Sequence, residues 1–202
     1  MHFATCIFPT EYSVRPAELA IALEERGFES IWVAEHRHIP VERASPRPGG
    51  SEMQQMYYDT LDPLNWLSVA AAATSKLKVA TGICLVVERD LIHTAKEVTS
   101  IDVLSGGRFL FGIGAGWNLE EMANHATDPS LRFGLLRERI EAMQAIWTEE
   151  EASYDGEFVN FENIWSWPKP VQKPYPPIFV GGDAPGTFKR ILRYGDAWIP
   201  ML

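Results

Sequence analysis

The 202-residue chain contains only two cysteines, Cys6 and Cys84. Both stand inside apolar runs, so they read as two buried thiols of a reducing compartment rather than as a disulfide framework. No run approaches the ~20 apolar residues that a membrane span needs. The N-terminal MHFATCIFPTEY lacks the basic start and long apolar stretch of a signal peptide. The expectation is a soluble, cytoplasmic protein with no membrane partner. Basic runs are missing as well. The formal net charge of −9 makes the chain a poor match for nucleic acid or an anionic membrane, although a local basic groove for an anionic ligand remains compatible with it. There is no P-loop and no G-x-S-x-G turn, and neither cysteine has a histidine close in sequence. Low-complexity segments and close repeats are absent too.

What is present is an alternation of element types. The runs at 2–8, 30–36, 78–87, 108–116, 177–182 and 196–202 are short, continuous and apolar, as parallel strands covered on both sides are. Between them lie helical patterns at 16–26, 63–74, 94–104, 133–147 and 185–194. Pro16 suits a first helical turn, and Gly27 suits the position just past the end. Strand–helix alternation along the whole chain means α/β architecture in a single domain, 1–202. Two arrangements satisfy it. A closed (β/α)₈ barrel takes about 250 residues, so six strands would leave it two units short. A six-stranded doubly wound sheet matches the length directly. Pattern alone does not separate them.

Two connections stand out. Residues 37–58 are rich in proline, glycine and charge, and a long loop in a compact domain reads as a lid. Residues 154–168 read as a small hairpin insert around aromatic side chains.

The strand ends carry the chemistry-bearing residues. Glu35 and His36 end the second strand, with His38 beyond. Gly82 and Ile83 lie in the third. Gly112, Gly114, Ala115 and Gly116 end the fourth and run into Trp117. Gly181, Gly182 and Asp183 end the fifth. In a barrel the C-terminal strand ends form the active face, and glycine there lets a backbone approach a ligand closely. Glycine at tight strand–helix turns also has an ordinary structural explanation. The run from Gly112 to Trp117 is not a dinucleotide fingerprint, because Trp117 stands where the third glycine belongs. His36 and His38 point the same way and could share a metal, but the later strand ends offer glycines rather than further ligands, so no metal is expected. His36 reads either as structural or as a proton or hydrogen-bond donor to a cofactor ring.

At this point the residues resemble a known family. GFESIWVAEHRHIP at 27–40, TLDPLNWLSVAAAAT at 60–74, KEVTSIDVLSGGRFLFGIGAGW at 96–117, KPYPPIFVGG at 173–182 and RYGDAWIP at 193–200 resemble luciferase-like monooxygenases, in particular the branch dependent on the deazaflavin coenzyme F-420. The resemblance implies a (β/α)₈ TIM barrel lacking its last two strand–helix units. It implies an oxidoreductase that transfers a hydride between coenzyme F-420 and a small organic substrate. The alternatives are an FMN-dependent monooxygenase using oxygen, or an inactive cofactor-binding barrel fragment. A homodimer is allowed for. Residue by residue, the resemblance makes His36 the catalytic group beside the deazaflavin ring and Glu35 its hydrogen-bonding neighbour. It places a non-proline cis peptide at Gly82–Ile83, behind the middle ring. Ala115 and Gly116 match the loop beside the cofactor, and Gly181, Gly182 and Asp183 match the phosphate-side loop. Trp117 stands where sugar-phosphate dehydrogenases of the family carry a catalytic glutamate, so it is assigned to the substrate pocket instead. The family's phosphate-binding basic residues in the last third have no counterpart in the sequence.

Overall fold

A computed structural model describes residues 1–46, 50 and 52–200. In chain order the elements are β1 (Ala4–Ile7), α1 (Pro16–Glu25), β2 (Ser30–Val33), α2 (Pro63–Ala73), β3 (Lys78–Thr81), β4 (Cys84–Leu85), α3 (Leu91–Ser105), β5 (Phe109–Gly114), α4 (Leu119–Asn124), α5 (Arg132–Thr148), β6 (Ala152–Asp155), β7 (Asn160–Ile164), β8 (Ile178–Gly181), α6 (Pro185–Tyr194) and β9 (Ala197–Ile199). Prolines open α1, α2 and α6 at their first helical position, where the missing N–H costs nothing. Asp62 and Asp90 cap α2 and α3 by accepting first-turn backbone N–H groups. Glu24 ties the next connection: its carboxylate accepts the N–H groups of Lys76 and Leu77 at 2.6 and 2.7 Å.

The main sheet is parallel throughout, in the order β1-β2-β3-β5-β8-β9, with β4 also pairing β5. A doubly wound sheet reverses its strand order at a switch point. Here every new strand joins beside the preceding one, so the doubly wound alternative falls. The sheet is also strongly curled. Flat, it would hold β2 and β8 three strand spacings apart, roughly 14 Å, yet the rings of Trp32 on β2 and Phe179 on β8 meet edge to face at 5.1 Å. The result is an α/β half-barrel.

Strand alternation sorts the two faces. Ile31, Val33, Val79, Phe109, Phe111, Ile113, Ile178 and Val180 point outward and are buried with Leu67, Ala70, Val98, Ile140, Met143 and Trp147 of the helices. This layer is the hydrophobic core. Cys6, Trp32, Ala80 and Leu110 are register partners on the concave side. The expectation of two buried thiols therefore holds only for Cys84. Cys6 is exposed, because its strand faces the open hollow of the curl.

The third predicted strand, 78–87, is not continuous. Between the pairs Ala80–Leu110 and Cys84–Ile113 it advances four residues for three on β5, so one extra residue bulges out. Within that bulge the Gly82–Ile83 peptide is cis. After Leu85 the chain turns into a short 3-10 helix, Val86–Glu88, rather than continuing the strand. The second strand likewise stops at Val33, three residues short of its predicted end, and the helix predicted at 94–104 starts earlier, at Leu91 behind its Asp90 cap. The insert near 154–168 is an antiparallel hairpin, β6–β7, whose turn is held by Glu138 of α5 through the N–H groups of Phe158 and Val159. The last predicted strand ends at Ile199 in β9, and its final residues 201 and 202 lie outside the described ones.

Candidate active site

Glu35 and His36 leave the end of β2 in sequence and divide their contacts. The Glu35 carboxylate is fully buried. One oxygen accepts the Leu85 N–H at 2.6 Å, and the other accepts Nε of Arg89 at 2.8 Å. Arg89, itself 3% exposed, also reaches Asp62 at 2.8 Å and Glu97 at 3.1 Å. Glu35 thus pins the far side of the Gly82–Ile83 bulge, and Arg89 ties that segment to the cap of α2 and to the body of α3. A buried charge needs such pairing.

His36 is buried beside a carboxylate that the sequence reading missed. Its Nδ1 lies 2.8 Å from Oε2 of Glu121, and the other Glu121 oxygen accepts the Arg37 N–H at 3.1 Å. Glu121 sits in the first turn of α4, where its backbone N–H donates to Oδ1 of Asn118. An Asn followed three residues later by Glu was the available signal for this helix start. On the other ring nitrogen, the Trp117 indole N–H donates to His36 Nε2 at 3.3 Å. Tyr57 closes the aromatic box, with ring centroids 5.3 Å from His36 and 6.3 Å from Trp117.

Tyr57 belongs to the connection read as a lid. Its described residues are anchored at both ends. Ala44 and Ser45 donate to Glu120, and His38 pairs with Asn124 at 2.9 Å, while Tyr57 packs on Phe8. Residues 47–49 and 51 of this connection lie outside the described ones. His38 therefore turns toward α4 and not toward His36, and among the described residues no three metal-ligating side chains converge.

The glycines at the strand ends divide into two kinds. A Cβ at Gly114 or Gly181 would lie 2.7 or 2.9 Å from the Ile83 side chain, and one at Gly112 would strike the Thr81 carbonyl oxygen at 1.9 Å. These three make room for the bulge. Gly116 and Gly182 instead have φ of +75° and +123°, which glycine alone adopts freely. Gly116 turns the chain after Ala115, over the buried carboxyl of Glu88. Burial, helped by the neighbouring negative charges of Glu121 and Glu35, pushes that carboxyl up to about 9.

At the end of β8, Gly182 leads through Asp183 to α6. The residue before that helix, Ala184, supplies no side-chain cap, Pro185 has no N–H, and the Thr187 N–H donates to the Ala184 carbonyl at 2.8 Å. Arg190 folds back over this turn, donating to Thr187 Oγ1 at 2.9 Å, and its guanidinium lies 4.3 Å from the Phe133 ring centroid. The sequence reading found no basic residue for this loop. Arg190 reaches it from one helical turn along, a spacing visible only once the helix is placed. Two cavities among the described residues lie apart. A small one of about 130 Å³ is lined by Glu35, His36, Arg37, Thr60, Asp62 and Pro63. A larger one of about 420 Å³, lined by Trp147, Trp167 and Lys173 among others, lies by the hairpin, away from the strand C-termini.

A curled parallel sheet with helices outside, and buried polar groups gathered at the C-terminal strand ends, defines an α/β-barrel type of enzyme scaffold. Within that class the chain belongs to the luciferase-like monooxygenase family, whose sequence profile matches residues 11–202. An uncharacterized protein of Mycobacterium tuberculosis is 45% identical over 98% of this chain and 72% of its own length. The F-420-dependent glucose-6-phosphate dehydrogenase of Kineococcus radiotolerans is 30% identical, covering 91% of this chain and 51% of that protein. The FMNH(2)-dependent dimethylsulfone monooxygenase of Pseudomonas putida is 34% identical over 62% of this chain and 35% of that protein. Among solved structures, a monooxygenase from Streptomyces bottropensis superposes with TM-score 0.79 at 24% identity, over 95% of this chain and 56% of that one. The coenzyme F-420 dependent tetrahydromethanopterin reductase from Methanopyrus kandleri gives 0.76 at 19%, over 98% of this chain and 55% of that one. The chain thus spans little more than half the length of these structures, and they speak for the fold. Among the described residues no helix is long and apolar enough to cross a membrane.

Proposed function

We propose that this chain is the cofactor-binding part of an F-420-dependent oxidoreductase, its six parallel strands being the first six of an eight-stranded barrel. The observation that carries the reading is His36, held between Glu121 and Trp117 and following Glu35, which accepts the Leu85 N–H just past the Gly82–Ile83 bulge. A tricyclic ring would rest against that bulge, with His36 at its edge. Gly82, Ile83, Ala115 and Gly116 would contact the ring, and Glu35 would hold the bulge in place. The Arg190 guanidinium over the start of α6 suits an anion, so the loop Gly181, Gly182 and Asp183 that leads there would receive a phosphate-bearing cofactor. The bound cofactor would supply the hydride chemistry, while the chain positions it and excludes water. Trp117 and Tyr57 would shape the place of a small organic substrate.

The test is titration of the full chain with F-420 and FMN side by side. Tighter binding of F-420, weakened at least 10-fold in His36→Ala and by about 10-fold in Arg190→Ala, supports the reading. Undiminished affinity in both variants overturns the site. Preference for FMN with oxygen consumption favours a monooxygenase, a reading supported by the dimethylsulfone monooxygenase relative.

A further inference from the structure

The two partners of His36 are chemically one-sided. A carboxylate, when ionised, only accepts hydrogen bonds, and an indole N–H only donates. Glu121 Oε2 faces Nδ1 at 2.8 Å, and the Trp117 indole N–H faces Nε2 at 3.3 Å. One neutral form of the ring satisfies both: the proton on Nδ1 and the lone pair on Nε2. The opposite tautomer sets a lone pair against a carboxylate and an N–H against an N–H. A doubly protonated ring keeps the first bond but sets two N–H groups against one another on the Trp117 side.

We infer that Glu121 is a positioning residue that fixes His36 as the Nδ1–H tautomer, and that Trp117 holds the Nε2 lone pair in reserve until its indole moves aside. Deepening the proposed function, this makes Nε2 the nitrogen that meets a ligand and makes that ligand's contact a proton-bearing donor, an N–H or O–H group.

Three features support Glu121 as the fixed member. Its side chain is 1% exposed. Its second oxygen is committed to the Arg37 N–H, and Asn118 holds its backbone. The groups around the pair are Arg37 beside it on the chain, Glu88 below Gly116, Glu35 and Arg89 behind the bulge, and His125 at the end of α4, which burial and the positive neighbours Arg37 and His38 press downward. Burial and the neighbouring charges of Glu121 and Glu35 push the Glu88 carboxyl up.

Nitrogen-15 NMR of the histidine-labelled full chain reads the tautomer directly, at a pH where the ring is neutral and without any cofactor. The His36 signals are assigned by their loss in His36→Gln. The expected wild-type spectrum shows Nδ1 protonated and Nε2 bare, as the sole form. Trp117→Phe should keep the Nδ1–H form, because Glu121 still only accepts. Combining it with Glu121→Gln, whose amide can donate as well as accept, leaves neither nitrogen facing a one-sided partner and should give both tautomers. A wild-type ring protonated on Nε2, a Trp117→Phe ring that changes tautomer, or a double-variant ring that stays solely Nδ1–H, overturns the inference. Should the double variant fail to fold, the other two spectra still decide. Cofactor titration is a separate readout: an intact tautomer without F-420 binding would sink the proposed function alone, and F-420 binding with the wrong tautomer would sink this inference alone.

Discussion

Gly114 is what allows Ile83 to stand inside the curl. A Cβ added at Gly114 would lie 2.7 Å from Ile83 Cδ1 and 3.1 Å from Cγ1, closer than side-chain atoms pack. The nearest atom is the end of a side chain and not backbone, so the conflict can be relieved. Gly114→Ala should destabilise the fold by about 1–3 kcal/mol, the usual cost of overpacking. Combining it with Ile83→Val, which deletes Cδ1, should recover part of that loss. Denaturant unfolding of both single variants and the double variant measures the coupling, and strictly additive losses would show that the two residues do not contend for one space.

Arg89 joins three carboxylates from beneath the site. Removing it by Arg89→Met strands the fully buried Glu35 without its cation. The expected loss is about 3–5 kcal/mol, the range for breaking a buried pair by deleting one partner. Urea unfolding at neutral pH checks it. A loss under ~1 kcal/mol would mean that water or Arg37, 3.4 Å from Glu35, replaces the missing charge.

Glu88 makes stability depend on pH between 4.5 and about 9. Its carboxyl is pushed up to about 9 from 4.5, so between those values the folded chain holds a proton that the unfolded chain has released. Linkage then gives a stability that falls as pH rises across that window. Glu88→Gln, permanently neutral, should flatten this part of the profile. Thermal unfolding at several pH values reads the slope for both proteins, and equal slopes would place the proton elsewhere.

Much of this architecture was legible in the sequence. Continuous apolar runs gave the strands, and Pro16 marked a helix start, because both signals act through local backbone sterics and burial. Periodicity left the curl open, and only the family resemblance pointed to it. The curl rests on which strands neighbour one another, a long-range choice that 202 residues of alternation leave open. The site was half visible. Glu35, His36 and the glycines sit at strand ends that periodicity locates. Glu121 sits on α4, a short helix that no hydrophobic pattern announced, and Arg190 reaches its loop from one helical turn along α6. The glycines also carried a mixed message. Gly112, Gly114 and Gly181 answer to Ile83 and Thr81, and the chain has no local signal that separates such packing glycines from Gly116 and Gly182.

The strand order has a further consequence for synthesis. Each strand of the main sheet pairs with one that precedes it in the chain, so nothing made late must wedge between partners made early. As the chain emerges from the ribosome, every new strand–helix unit finds its docking edge already formed. Growth therefore proceeds from one edge, while β1, paired only with β2 in the described sheet, is the edge that stays open to a neighbouring chain throughout.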